Sequence, residues 1–199
     1  HYVETLEIDR LLPNINGIGF IAPVGPGEES AFLAEVASLG IRDFRIHPIT
    51  GNAERMVVKH IHPLEPNAEA LGLDLSYSED RRQTVLSALR SAEPRLSPRI
   101  YLVQGEERRE GFLLLRPVFA EGQEITVGPT SRPSQTEGFL GWVYAPFVAE
   151  AFLSDLSAAQ GKTHHIRAFD GPVAAPDQLL YDGQPAAAPM GHTLALIPT

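Results

Sequence analysis

Histidine and arginine residues placed inside apolar runs are where this sequence holds its chemical potential. His60 and His62 lie two apart in Val57-Val58-Lys59-His60-Ile61-His62, so in a regular strand both side chains leave one face. Arg45 and His47, in Phe44-Arg45-Ile46-His47, offer similar groups on a second strand. Together they can line a pocket for an anionic or hydrogen-bonding ligand, or they can satisfy local hydrogen bonds at the rim. A metal site is not expected, because His-x-His supplies two ligands and no spacing supplies a third. The adjacent His164 and His165 point to opposite faces of a strand, which argues against joint chelation. Arg116 interrupts Phe112-Leu113-Leu114-Leu115, and an unpaired buried guanidinium is costly. It either pairs with a carboxylate such as Glu65 or Asp74, or takes a ligand's anion bidentately. Glu79 and Asp80 are explained by a helix N-terminus, and no nucleophile elbow, phosphate loop or metal motif accompanies the other acids. No catalytic residues and no cofactor are therefore expected.

These residues need elements to position them. The first twelve residues carry Val3, Leu6, Ile8, Leu11 and Leu12 among acids, an amphipathic helical fragment that stops at Pro13. Ile18 to Ala22 read as a strand, and Glu28 to Leu39 as a helix with Phe32, Val36 and Leu39 on one face and Gly40 as its stop. Strands follow at Phe44 to His47 and Val57 to His62, then a short helical turn closed by Leu71-Gly72. Ser78 caps the best-signalled helix, whose Val85, Leu86 and Leu89 make a buried face, and Pro94 ends it. Arg99 to Gln104 and Gly111 to Phe119 read as a hairpin with the charged loop 105–110. Glu121 to Glu137 is rich in Gly, Pro, Ser and Thr and reads as a subdomain boundary. Beyond it come a strand at Gly138 to Tyr144, a helix from Pro146 to about Gln160, and strands near Thr163 to Phe169, Gln178 to Tyr181 and Thr193 to Ile197.

The 199 residues are enough for one large or two small domains with a sizeable core. A net charge of −9 excludes nucleic acid as a partner, since phosphate binding needs a concentrated basic surface. The absence of cysteine leaves the compartment open. No apolar run reaches the ~18 residues of a membrane span, and the most apolar region, Gly138 to Leu156, is broken by Tyr144, Pro146, Glu150 and Ser154-Asp155. A start at His1 rather than Met leads us to expect a piece of a longer protein.

The order of motifs resembles the CHASE family. The resemblance is carried by Pro13-Asn-Ile-Asn-Gly-Ile-Gly-Phe20, the Val57 to Pro63 strand, Pro66-Asn67 leading to Ala70-Leu-Gly-Leu-Asp-Leu75, and Arg81-Arg82. Leu96-Ser-Pro98, Gly111-Phe-Leu-Leu-Leu-Arg-Pro-Val-Phe119 and Gly138-Phe-Leu-Gly-Trp-Val-Tyr-Ala-Pro-Phe147 continue it. Such domains are extracytoplasmic sensors of bacterial receptor kinases and cyclases and of plant cytokinin receptors. The resemblance implies a long stalk helix and two stacked PAS-like subdomains between two membrane spans, with small ligands in the membrane-distal one. It also carries Glu65 over as the carboxylate that holds an adenine-like ligand. His60 stands where Tyr is common in the family, His62 where Glu is common and Arg116 where an apolar residue is common. These departures favour an anionic ligand over a purine-like one.

The expectation is thus an α+β chain with antiparallel sheets: the end of a stalk helix at 1–13, a ligand-binding PAS-like subdomain at 14–120, and a membrane-proximal PAS-like subdomain at 121–199. Each half should have its own sheet of five or so strands. Its function would be ligand sensing in the periplasmic or extracellular part of an inner-membrane receptor, a histidine kinase or diguanylate cyclase, working as a homodimer. The rival from another class is a ligand-free dimerisation or protein-interaction module of the same receptor. The ligand-binding residues expected are Phe44, His60, His62, Glu65, Ser97, Arg99, Tyr101, Phe112 and Arg116. Alternation along the strands prevents all of them from facing one pocket.

Overall fold

The computed structural model describes residues 15–104, 107–122, 124–159 and 166–183. The expected stalk helix, the His164-His165 pair and the strand near 193–197 lie outside the described residues. Within them the chain is α+β. Strands β1 (Ile18–Val24), β2 (Arg55–His62), β3 (Arg95–Leu96), β4 (Ile100–Gln104), β5 (Glu107–Phe119) and β6 (Phe139–Val148) form one six-stranded sheet. Its order is β2-β1-β6-β5-β3, with β4 also pairing β5, and every pairing is antiparallel. A two-stranded antiparallel sheet of β7 (Ile166–Phe169) and β8 (Leu179–Gly183) follows.

Three helices cover the large sheet. Helix α1 (Glu29–Ser38) buries Phe32 and Val36 against Ala22, Val24 and Val57. Leu39, expected on the same apolar face, is 55% exposed, because the helix ends at Ser38 and the chain turns at Gly40. Helix α2 (Glu79–Ser91) follows from its sequence signals: Glu79 and Asp80 in the positive first turn, Val85, Leu86 and Leu89 inward. Ser78 occupies the cap position, but its side chain makes no capping hydrogen bond; its carbonyl instead accepts from the Arg82 N–H. Helix α3 (Ala149–Ala159) starts three residues later than expected, because Pro146 is a strand residue paired with Leu113.

Strand alternation sorts the core into two faces. Ile21, Met56, Val58, Leu113, Leu115, Trp142 and Tyr144 join Val85 and Leu89 beneath α2. The opposite face is divided between α1 at the β1–β2 edge and α3 at the far end of β5 and β6. There Phe112 stacks on Phe147 at 5.3 Å, and Phe152 meets both rings edge-on.

Three expectations are corrected. The sheet is not confined to residues before 121: β6 inserts between β1 and β5, so a single sheet draws on both sides of the 121–137 break. Hydrogen bonding decides this, since a strand of ten apolar and aromatic residues finds two open edges there. Phe44 to Ile46 do not form a strand; His47 alone makes a bridge, to Leu73. The charged residues Glu107 to Glu110 are paired strand rather than loop, opposite Tyr101 to Gln104.

Candidate functional site

A cavity of about 430 Å³ opens between the sheet and the segment that leads into α2. Its sheet wall is Val58 and Ile61 from β2, Leu113 from β5, Tyr144 and Pro146 from β6, and Ile100 to Leu102 from β4. Asn67, Glu69, Ala70, Leu73, Leu75 and Tyr77 close it from the connecting segment, Arg81 from α2, and Asn16 and His47 from loops.

A bulge in β2 decides which β2 residues face it. Phe20 pairs His60 and Ile21 pairs Val58, so Lys59 is the extra residue. Regular alternation would set Val58, His60 and His62 on one face. The bulge instead aligns Ile61 with Val58 toward the cavity and sends Lys59 and His60 to the other side. Lys59 accordingly pairs Glu35 of α1 at 2.5 Å and lies over the Phe32 ring. His60 is exposed, and its pKa is lowered by partial burial and by the Lys59 charge.

Tyr144 depends on a glycine. It stands opposite Gly19 in register, and a methyl group at Gly19 would collide with the Tyr144 ring and the His60 carbonyl. The ring therefore leans across bare β1 backbone toward β2. Its hydroxyl is buried with no hydrogen-bond partner among the described residues, and burial pushes its pKa well up. Asn16 is held by its N–H, which donates to the Pro146 carbonyl at 2.9 Å, and by its own carbonyl, which accepts from Asn67 Nδ2 at 2.7 Å. Its side-chain Nδ2 is also buried, with no partner among the described residues. Arg81 donates to the Tyr101 carbonyl at 3.1 Å and lies over the Tyr77 ring at 5.4 Å. Burial lowers its pKa, while Tyr77 and Tyr144 act the other way. His47 Nε2 is 3.0 Å from the Leu71 carbonyl.

Of the nine residues expected to bind ligand, Tyr101 lines the cavity, half-exposed at its edge. The other eight lie elsewhere. Phe44 meets Phe32 edge-on beneath α1, and Phe112 is in the aromatic cluster under α3. His60 and His62 are turned away by the bulge, and Glu65 is exposed. Ser97 is fully engaged: its hydroxyl donates to the Pro98 carbonyl at 2.8 Å and accepts from the Leu113 N–H at 2.9 Å. Arg99 ties the hairpin to the β7–β8 region through Asp170 and the Asp177 carbonyl, and to Glu110 at 3.6 Å. Arg116 is exposed beside Val143, on the face opposite Leu113 and Leu115, so it needs neither a buried carboxylate nor a ligand. Asp74, one of its two suggested partners, is wholly buried and accepts from Thr50 Oγ1 and the Met56 and Ser76 N–H groups.

The cavity residues that the sequence reading passed over are Asn16, Asn67, Arg81 and Tyr144. Arg81 did carry a signal: it sits four and eight residues before Val85 and Leu89, an arginine on the apolar stripe of an amphipathic helix. Tyr144 carried none, because Gly19 is its neighbour only through strand pairing.

Among the described residues no cluster of three His, Cys, Asp or Glu side chains is placed to hold a metal, and no helix is long and apolar enough to cross a membrane. A search of the curated proteins returned no match. The family model described as the CHASE domain matches residues 1–181. With nine-tenths of its length matched, the chain belongs to the CHASE domain family, whose members are extracytoplasmic sensory rather than catalytic domains.

Proposed function

We propose that this chain is the periplasmic or extracellular ligand-sensing part of a membrane-anchored receptor, and that the cavity between the sheet and the segment leading into α2 is where the ligand sits. One observation carries the reading. A cavity of about 430 Å³ is lined by largely apolar side chains, and two of its lining residues, Tyr144 and Asn16, each hold a buried polar atom, Oη and Nδ2, with no hydrogen-bond partner among the described residues. Native proteins rarely leave such groups unsatisfied, and a mainly apolar pocket with a few convergent polar groups is the usual form of a small-molecule site. The antiparallel sheet with a helix closing a cavity on one face supports a PAS-like reading of this unit. It would be the membrane-distal one and would include β6; the membrane-proximal unit would begin after it. The receptor would be a histidine kinase or diguanylate cyclase acting as a homodimer.

The rival, a ligand-free interaction module, draws support from Leu114, Leu140 and Val143, which are 40–50% exposed. A filled apolar core, its natural signature, lies under the middle of α2, but an open cavity adjoins it under the segment that leads into the helix. A thermal-shift screen of organic acids, amino acids and purines tests the sensing reading, because a ligand that binds the native state raises its stability. We expect at least one class to raise the melting temperature in a concentration-dependent way. A flat response throughout, with self-association in sedimentation, favours the interaction module.

A further inference from the structure

The polar groups around the cavity are not a random sample of chemistry. Arg81 reaches it from the apolar stripe of α2 and is half-buried. Its contacts are the Tyr101 carbonyl and the Tyr77 ring, and among the described residues no carboxylate pairs with it. A guanidinium has five N–H donors, so several remain available. A partly buried cation without an anion is costly, and in a chain of net charge −9 compensating acids are abundant. Tyr144 and Asn16, which line the same cavity, each hold a buried donor, Oη and Nδ2, with no partner among the described residues. The spare N–H groups of Arg81 and two unpartnered donors fit a group that only accepts.

We propose that the cavity takes an organic monocarboxylate with an apolar body, its carboxylate held by Arg81 and the Tyr144 hydroxyl; this rests on the cavity being the ligand site. A carboxylate has two acceptor oxygens and matches the guanidinium fork bidentately. Val58, Ile61, Leu75 and Leu113 provide the walls for an aromatic or aliphatic body. Glu69, exposed at the edge of the cavity, opposes a second negative charge there, which selects a monocarboxylate over a dicarboxylate.

Matched acids and amides test this, since each pair differs in charge and acceptor pattern but little in size. The probes are phenylacetate with phenylacetamide and indole-3-acetate with indole-3-acetamide, titrated calorimetrically into the 199-residue chain, with adenine as a purine control. Each acid should bind at least roughly tenfold more tightly than its amide, the worth of one charge-assisted hydrogen bond. Arg81→Gln should weaken the acids roughly ten- to a hundredfold and leave the amides nearly unchanged. Tyr144→Phe should weaken the acids by a smaller factor, and Arg116→Ala should change nothing. The comparison of acid with amide needs no variant and stands even where Arg81→Gln fails to fold. Equal affinity for acid and amide, or binding by adenine or the amides alone, overturns the carboxylate assignment and leaves the cavity as a ligand site. No binding by any probe overturns both.

Discussion

Strands β5 and β6 present similar apolar alternation to their two faces, yet the faces are finished differently. On one, Phe112, Phe147 and Phe152 pack ring against ring, and α3 closes over them with Leu153. On the other, Leu113, Tyr144 and Pro146 border an open cavity. The contrast extends to polar atoms. Asp74, at the end of the segment that covers the cavity, is wholly buried and takes three hydrogen bonds from the protein. Tyr144 Oη, on a residue of the cavity wall, takes none among the described residues. A polar residue in an apolar run therefore does not mark a site. A polar atom left without a partner beside an open volume does, because its desolvation is uncompensated until something binds.

The largest effect expected from this contrast is on the filled face. Phe147→Ala removes a ring from a closed aromatic cluster and should cost about 3–5 kcal/mol, read from the denaturant midpoint. A loss under about 1 kcal/mol would mean that this face is loosely packed and the contrast is false. Next is Gly19→Ala, whose methyl group would meet the Tyr144 ring and the His60 carbonyl. We expect a loss of roughly 1–3 kcal/mol with a changed near-ultraviolet tyrosine signal. Unchanged stability and signal would show that the ring does not cross β1.

Tyr144→Phe sharpens the comparison in the other direction. Removing a buried hydroxyl that has no partner should leave the ligand-free protein more stable by about 1 kcal/mol, since an unsatisfied group carries its desolvation cost. Equal or lower stability would reveal a partner for the hydroxyl. The smallest effect belongs to His60, on the side away from the cavity. Its folded-state pKa lies below the ordinary value of 6.5, first through burial and then through Lys59. The unfolded chain thus takes up the proton first as pH falls. The stability that His60 contributes is present above pH 6.5 and lost as pH drops through that value toward the folded pKa. The ring is exposed, so solvent weakens the effect. Nuclear magnetic resonance titration should find His60 titrating below 6.5, and His60→Gln should flatten the acid side of the stability profile slightly. A pKa at or above 6.5 contradicts the burial assigned to it.

Local pattern alone determined a good part of this protein. The acids at the start of α2, the apolar spacing of Phe32 and Val36, and the apolar runs of β1, β2, β5 and β6 depend on short-range periodicity, which a chain displays before it folds. The ordered motifs were also sufficient to indicate the CHASE family. Three of the strands that border the cavity were legible for the same reason: β2, β4 and β5 carry polar groups among apolar ones. Tertiary structure decided which faces of those strands look inward. One extra residue at Lys59 reversed the face on which His60 and His62 emerge, because side-chain direction has a period of two and a single insertion inverts everything beyond it. Pairing between residues more than a hundred apart placed β6 at the centre of the sheet and set Tyr144 over Gly19. Whether a buried polar atom finds a partner is likewise a property of several segments at once. Asp74 and Tyr144 look equally out of place in the sequence, and only folding satisfied one and left the other open.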